Sequence, residues 1–326
     1  MVHVSRSKIG LALGSGAARG LAHIGVLKVF ETESLPVDAI AGTSIGAFIG
    51  ALYAAGVSIA QIEEVARDVD WRHLARLIDP VLPTSGLLDG RKMEKFMAEL
   101  LPVRTFEELR IPLAVITTDV ETGEELVIRK GDLQKALRAA IAFPGIFTPV
   151  SFAGRFLVDG GLCNPVPVDA ARALGVDKVI GVCAIPEVDK RPSETFLPVQ
   201  SDEADRKKPR LPFFNAQRVE GLFRDIWHTN SRAARTEPPR ASRERKPPGI
   251  FRIFAQSIAI MENQINALRL QQSRGDLLLR PEFNGITLYE FHRADEAIRA
   301  GEAAAREQLG AIRALVSGDC NDVHLC

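Results

Sequence analysis

Ser44 lies in the segment Gly42-Thr43-Ser44-Ile45-Gly46, which matches the pattern G-x-S-x-G. In this pattern the serine occupies a sharp turn between a strand and a helix, and the turn exposes the hydroxyl as a nucleophile. The four flanking residues would form the turn itself. A serine held in this way attacks carbonyl carbon atoms and carries the acyl group as a covalent intermediate. The segment therefore predicts acyl-transfer chemistry at Ser44.

A second glycine-rich turn precedes the first, with the sequence GSGAARG over residues 14–20. Its spacing is one residue too long for the dinucleotide pattern G-x-G-x-x-G, and it lacks the lysine of a P-loop. Backbone N–H groups of such a turn can instead stabilise the oxyanion that forms when a nucleophile attacks a carbonyl. We therefore predict that this turn supplies an oxyanion hole for the serine, with the candidate residues Gly14, Gly16, Ala17, Ala18, Arg19 and Gly20.

The nucleophile requires a base that accepts its proton. The strongest candidate is Asp159, which follows the short apolar strand 156–158 and begins the triplet Asp159-Gly160-Gly161. The two glycines allow close backbone approach, and the sites of parallel sheets lie at the carboxyl ends of strands. An isolated Asp-Gly-Gly triplet is also typical of a simple turn. The assignment therefore depends on its combination with the two glycine-rich turns.

A histidine base is the alternative, because an α/β-hydrolase has the order Ser, Asp, His along its chain. Asp159 and His292 fit that order. That fold places several strands before its nucleophile, whereas only one strand precedes the strand that leads to Ser44. We therefore prefer Asp159 as the base. His23, on the first predicted helix, is interpreted as a buried structural residue.

The elements around these residues alternate between strands and helices. A strand over 8–14 precedes the first turn, a helix follows that turn, a second strand covers 37–42, and a second helix begins at Gly46. This order predicts a parallel α/β sheet. The segment 40–60 carries no charge and is long enough to span a bilayer. We interpret it as two buried core elements, because it follows a glycine-rich turn and contains the serine turn.

Composition limits the class of protein. The chain has 326 residues, of which 46% are hydrophobic and 25% charged, with 41 basic and 41 acidic side chains. This balance is typical of a globular protein and argues against general nucleic-acid binding. The cysteines show no C-x-x-C pairing, which favours reduced thiols in a cytoplasmic protein and no metal site. We expect no cofactor, and homo-oligomer formation stays open.

The combination of the two turns with Asp159-Gly160-Gly161 resembles the patatin-like phospholipase family. The bacterial members are most similar, in the branch related to the catalytic domain of neuropathy target esterase. Further similar segments are RGLAHIGVL, AAIAFPGIFTPV and NPVPVDAARALG. The resemblance covers residues 8–186 and resumes over 254–304. Ser15 departs from the pattern, since many relatives have glycine at this position.

The resemblance implies a three-layer α/β/α patatin-like fold with a mostly parallel central sheet. It also implies a Ser–Asp dyad that cleaves ester bonds of lipids, with Ser44 as nucleophile and Asp159 as base. Backbone amides around Gly16, Ala17 and Ala18 would bind the oxyanion, and Arg19 would order their loop by bonding backbone carbonyls. The alternatives are a thioesterase or general carboxylesterase on the same dyad, and a weakly catalytic regulatory or scaffolding relative.

The chain as a whole is predicted to contain three parts. Residues 8–186 form the catalytic core, 187–252 form a flexible insertion rich in basic residues and proline, and 253–318 form a helix–strand–helix segment that packs on the core.

Within the insertion, residues 215–235 carry apolar side chains at helical spacing, together with several arginines. Such a segment suits the surface of an anionic bilayer. The alternative is that this apolar stripe covers the protein's own core or a second subunit. The predicted location is cytoplasmic, with peripheral membrane association as a further hypothesis.

Overall fold

A mixed eight-stranded sheet lies at the centre of the described chain. The computed structural model describes residues 6–68, 76–81, 86–185 and 250–318. The strands are β1 (Ile9–Leu13), β2 (Ala39–Thr43), β3 (Leu113–Asp119), β4 (Glu125–Ile128), β5 (Val150–Phe152), β6 (Arg155–Asp159), β7 (Lys178–Val182) and β8 (Leu277–Leu279). The strands β1, β2 and β3 are buried along their whole length.

The strand order across the sheet is β5-β6-β3-β2-β1-β7-β8, and β4 pairs with β3 outside this path. The pairs β1–β2, β1–β7, β2–β3 and β7–β8 are parallel. The pairs β3–β4, β3–β6 and β5–β6 are antiparallel. The prediction of a mostly parallel central sheet is therefore confirmed, with the antiparallel strands grouped at one side.

Helices cover both faces of this sheet, which gives three layers. They are α1 (Ala22–Thr32), α2 (Ile45–Ala54), α3 (Ile59–Asp68), α4 (Arg91–Leu100), α5 (Leu133–Ala140), α6 (Val168–Arg172), α7 (Ile250–Gln272), α8 (Ala294–Glu307) and α9 (Leu309–Ser317). Leu11 of β1 belongs to the larger apolar core, with side chains of α1, α2 and α8. Its neighbour Ala12 belongs to a second core with Val168 and Ala171 of α6. Alternate residues of one strand thus face opposite layers.

The charge-free segment 40–60 is divided between β2, α2 and the start of α3. Its strand is fully buried, and α2 is buried along most of its length. The interpretation as core elements is confirmed. Within the described ranges, no helix has the length and apolar character that crossing a membrane requires.

The predicted division into a core, an insertion and a C-terminal segment stays a prediction. The chain separates into two compact units, 1–186 together with 255–326, and 187–254. The predicted insertion 187–252 lies outside the described residues, apart from 250–252 at the start of α7. The segment predicted to follow it contains α7, β8, α8 and α9.

Candidate active site

Ser44 stands between the end of β2 and the start of α2. Its backbone has φ 56° and ψ −126°, a region that L-residues other than glycine seldom adopt and that is common at functional turns. A methyl group on Gly46 would lie 2.2 Å from the Leu13 carbonyl oxygen. Only glycine therefore allows the first turn of α2 to pack against the end of β1. The G-x-S-x-G segment folds into the strand–turn–helix that its sequence predicted.

Asp159 lies at the end of β6, and its carboxylate contacts the serine directly. The Ser44 hydroxyl donates a hydrogen bond to Asp159 Oδ2 at 2.6 Å. The Gly161 amide donates to Asp159 Oδ1 at 2.8 Å, and Thr118 Oγ1 donates to the Asp159 carbonyl at 3.0 Å. Both carboxylate oxygens are thus held, and one of them is held by the Ser44 hydroxyl.

The route by which Asp159 reaches the serine differs from the sequence argument. A strand parallel to its neighbours is the sequence-based expectation, whereas β6 runs antiparallel to β3, with Asp159 opposite Thr117. The parallel strand β2 places Thr43 opposite Ile116 of β3. The two strands therefore approach the same level of β3 from opposite directions. The carboxylate meets the serine there, but the assumed strand direction was wrong.

Burial determines the electrostatics of Asp159. The residue is 3% exposed, and this burial raises the pKa of its carboxyl to about 6, although the hydrogen bonds from Ser44 and Gly161 oppose the shift. The group is therefore ionised above that pH and protonated below it. A carboxylate with a pKa slightly below 7 is well matched to accept a proton at neutral pH.

The glycine-rich turn 14–20 follows β1 and continues into a 3-10 helix, Ala17–Leu21. The Ala18 amide donates to the Leu288 carbonyl, and the Arg19 amide donates to the Gly16 carbonyl, both at 3.1 Å. Within the described chain, the amides of Gly16 and Ala17 have no backbone acceptor. The two amides next to each other at the start of the turn are therefore available to a substrate.

Two side chains hold this turn in place. Arg19 donates from Nε to the Ile286 carbonyl at 2.7 Å, so it bonds a backbone carbonyl as expected, although the carbonyl lies outside the turn. His23 is fully buried, with Nε2 2.7 Å from the Gly14 carbonyl oxygen. Burial lowers the pKa of His23 to about 4, so the neutral ring donates this hydrogen bond. The structural interpretation of His23 is confirmed.

The alternative histidine base is not in contact with the carboxylate. His292 is exposed on the 3-10 helix Phe291–Arg293. Among the described residues, the hydrogen-bond donors to the Asp159 carboxylate are Ser44 and the Gly161 amide. The geometry therefore favours direct proton transfer from the serine to the aspartate.

A polar network next to the site was not identified from the sequence. Thr43 Oγ1 donates to the Asn164 carbonyl at 2.8 Å, and Asn164 Nδ2 donates to Glu125 Oε1 at 2.9 Å. Arg269 of α7 donates to Glu125 Oε2 at 2.9 Å. This network joins the serine turn, β4 and α7. No local pattern could predict it, because its members lie far apart in the chain.

A metal centre needs several ligating side chains in one place. In the ranges that the structure describes, no three His, Cys, Asp or Glu side chains are grouped so that they could hold a metal ion. The site thus combines a hydroxyl, a carboxylate and two available backbone amides. These are the components of acyl transfer through a covalent intermediate.

The sequence is similar to a family model and to individual proteins of the same kind. A family model described as Patatin-like phospholipase matches residues 11–172. An uncharacterised NTE family protein of Mycobacterium tuberculosis is 32% identical over 342 residues, covering 94% of this chain and 92% of that protein. The patatin-like phospholipase domain-containing protein 6 of Homo sapiens is 36% identical over 181 residues, covering 53% of this chain but only 13% of the human protein.

Solved structures show a weaker similarity. The crystal structure of VipD from Legionella pneumophila has a TM-score of 0.46 and 11% identity, covering 94% of this chain and 67% of that one. The type III effector protein ExoU has a TM-score of 0.35 and 16% identity, covering 99% and 67%.

Proposed function

The chain belongs to the patatin-like phospholipase family, and on that premise we propose that it cleaves fatty-acyl esters of phospholipids or lysophospholipids through a Ser44–Asp159 dyad. The family itself indicates a lipid acyl hydrolase with the patatin fold. The observation that carries the dyad is the 2.6 Å hydrogen bond from Ser44 Oγ to Asp159 Oδ2. It joins residues 115 positions apart, so the fold brings them together.

In the proposed reaction, Ser44 Oγ attacks the ester carbonyl carbon while its proton passes to Asp159 Oδ2. The carbonyl oxygen becomes an oxyanion. The acyl–oxygen bond then breaks, the leaving alcohol takes up a proton, and Asp159 returns to its carboxylate form, which leaves an acyl-enzyme. Asp159 then accepts a proton from water, which attacks the acyl-enzyme and releases the fatty acid. Asp159 finally returns the proton to the serine oxygen. The near-neutral pKa of the carboxyl suits both directions of transfer.

The oxyanion would be stabilised by the amides of Gly16 and Ala17. A single donor of this kind typically lowers the barrier by about 3–4 kcal/mol. The sequence also predicted a role for the Ala18 amide, but this amide donates to the Leu288 carbonyl. We therefore restrict the proposed oxyanion hole to the amides of Gly16 and Ala17. His23 and Arg19 would act by holding the turn in this geometry.

A panel of acyl substrates tests the proposed activity. We expect release of fatty acid from phosphatidylcholine or lysophosphatidylcholine to exceed hydrolysis of an acyl-coenzyme A thioester at the same concentration, measured by mass spectrometry. Titration with a fluorophosphonate gives the concentration of active serine. Faster thioester turnover would favour the thioesterase alternative. Serine labelling without turnover of any lipid would favour the regulatory alternative.

We further propose that residues 215–235 dock the enzyme onto anionic membranes, where its substrates lie. These residues lie outside the described chain, and their sequence supports the proposal. The apolar positions repeat at helical spacing and are Val219, Leu222, Phe223, Ile226 and Trp227. Arginines occur in the same segment, and each basic residue near an anionic surface contributes roughly 1 kcal/mol. Exposed Ile260, Met261 and Leu268 on α7 add apolar surface to the catalytic unit.

Vesicle sedimentation tests this docking. The protein is expected to sediment with vesicles containing phosphatidylserine, more weakly as salt increases, and not with pure phosphatidylcholine. The double variant Phe223→Glu with Trp227→Glu should lose this binding, because two charges would enter the apolar stripe. Unchanged sedimentation of the double variant would contradict the proposal and would favour the alternative that the stripe covers the protein core or a second subunit.

A further inference from the structure

Glu262 lies on the inward face of α7, and the reaction described above does not use it. Ile258 and Asn266, one helical turn away on either side, are only 3% and 5% exposed, and residues four apart in a helix share a face. Arg269 donates to the Cys163 carbonyl at 2.9 Å, which fastens the helix to the segment after β6. Glu262 therefore faces the protein interior beside the site.

Gly161 brings the Glu262 carboxyl close to Asp159. A methyl group at the Cβ position of Gly161 would lie 2.4 Å from Glu262 Oε1 and 3.3 Å from Asp159 Oδ1. A larger residue at 161 would displace the Glu262 carboxyl, so glycine is needed for this close approach. The two carboxyl groups thus border the same small space.

Tyr289 also interacts electrostatically with Glu262. Burial raises the pKa of the Tyr289 hydroxyl, and the charge of Glu262 raises it further, so the two side chains interact. Tyr289 directly follows Leu288, whose carbonyl accepts the hydrogen bond from the Ala18 amide. Glu262 therefore lies against Gly161, next to the base, and interacts with a residue that follows a partner of the glycine-rich turn.

The two carboxyl groups differ in how firmly they hold a proton. Burial raises the pKa of Asp159 to about 6. Burial and then the Asp159 charge raise the pKa of Glu262 to about 8. Among the described residues, Asp159 and Tyr289 are the titratable groups whose charges interact with Glu262. Between these values the pair shares one proton, and the higher pKa of Glu262 favours that carboxyl as its holder. Paired carboxyl groups separated in this way can supply one base and one acid.

We propose that Glu262 is the general acid that protonates the leaving alcohol when the acyl-enzyme forms. The inference rests on the proposed Ser44–Asp159 hydrolase. In acylation the serine oxygen bonds to the acyl carbon, its proton passes to Asp159, and the acyl–oxygen bond to the alcohol breaks as Glu262 protonates that oxygen. The proton on Asp159 then passes to the adjacent Glu262 carboxylate. Both groups regain their initial states before Asp159 activates water.

The variant Glu262→Gln tests this role, because the amide keeps the shape but cannot supply the proton. Hydrolysis of lysophosphatidylcholine should fall about 100-fold, as general acid catalysis contributes at least that factor. Hydrolysis of a p-nitrophenyl ester should change little, since its leaving group departs without a proton. Glu282→Gln, an exposed carboxyl in the same C-terminal segment, serves as the matched control and should hydrolyse both substrates normally.

The pH profile provides a second readout. With lysophosphatidylcholine, the wild-type rate should rise through about pH 6, as Asp159 ionises, and fall through about pH 8, as Glu262 loses its proton. Glu262→Gln should keep the rise and lose the fall. An unchanged alkaline limb, or equal losses on both ester classes, would overturn the assignment.

Fluorophosphonate labelling separates failure of this inference from failure of the proposed hydrolase. Labelling needs the serine and its base but no acid, because fluoride leaves unprotonated. Glu262→Gln should therefore be labelled at the wild-type rate, which also demonstrates a folded site. If the wild type itself were not labelled, the proposed hydrolase would fail. If the variant were labelled and also hydrolysed lysophosphatidylcholine normally, only the role of Glu262 would fail.

Discussion

Replacement of Ser44 with alanine is expected to abolish both covalent labelling by a fluorophosphonate and hydrolysis of lysophospholipid. The alanine side chain has no oxygen that could attack the acyl carbon, and loss of a serine nucleophile lowers kcat by on the order of 10⁶-fold in a serine protease. Intact-protein mass spectrometry would detect the label, and fatty-acid release would measure turnover. The expected result is an unlabelled protein with no activity above background.

A matched control distinguishes Ser44 from other serines. Ser151 is exposed on β5, and Ser151→Ala should be labelled and should hydrolyse lysophospholipid like the wild type. Circular dichroism would verify that both variants are folded. Labelling of Ser44→Ala at the wild-type rate would refute Ser44 as the nucleophile and the proposed dyad with it.

Asp159→Asn is expected to lower kcat about 10⁴-fold, toward the upper end of what a general base contributes. The amide matches the carboxylate in shape but cannot take the serine proton, and no described histidine contacts Asp159 as a substitute. The variant should remain folded, since it removes a carboxylate whose burial disfavours its charge. Steady-state kinetics and a thermal melt measure the two effects separately.

Histidine variants complete that experiment. His292→Gln should leave kcat unchanged, because His292 is exposed. His23→Gln should lower thermal stability, because it disturbs a buried hydrogen bond to Gly14. If Asp159→Asn kept near wild-type rates while His292→Gln lost activity, a Ser–His mechanism would replace the dyad.

Local chemistry explains why the sequence predicted the serine turn and the first half of the sheet. Strand β2 is buried on both faces and therefore consists of a continuous apolar run. Glycine at 46 reflects a close backbone approach that is set within a few residues of the serine. Features decided by neighbouring residues leave a pattern in the sequence, and Ser44 was identifiable for that reason.

Other features depended on the tertiary structure. The apolar residues of β6 predicted a strand but not its antiparallel direction, because burial does not encode orientation. The Ala18 amide donates a hydrogen bond to the distant Leu288 carbonyl, so it is not available to an oxyanion. The approach of Glu262 to Asp159 depends on how α7 packs over Gly161. In the sequence, Glu262 is one acidic residue in a helix. Only packing between distant segments of the chain partly buries its carboxyl beside a second one, which raises its pKa and gives it a proton to donate.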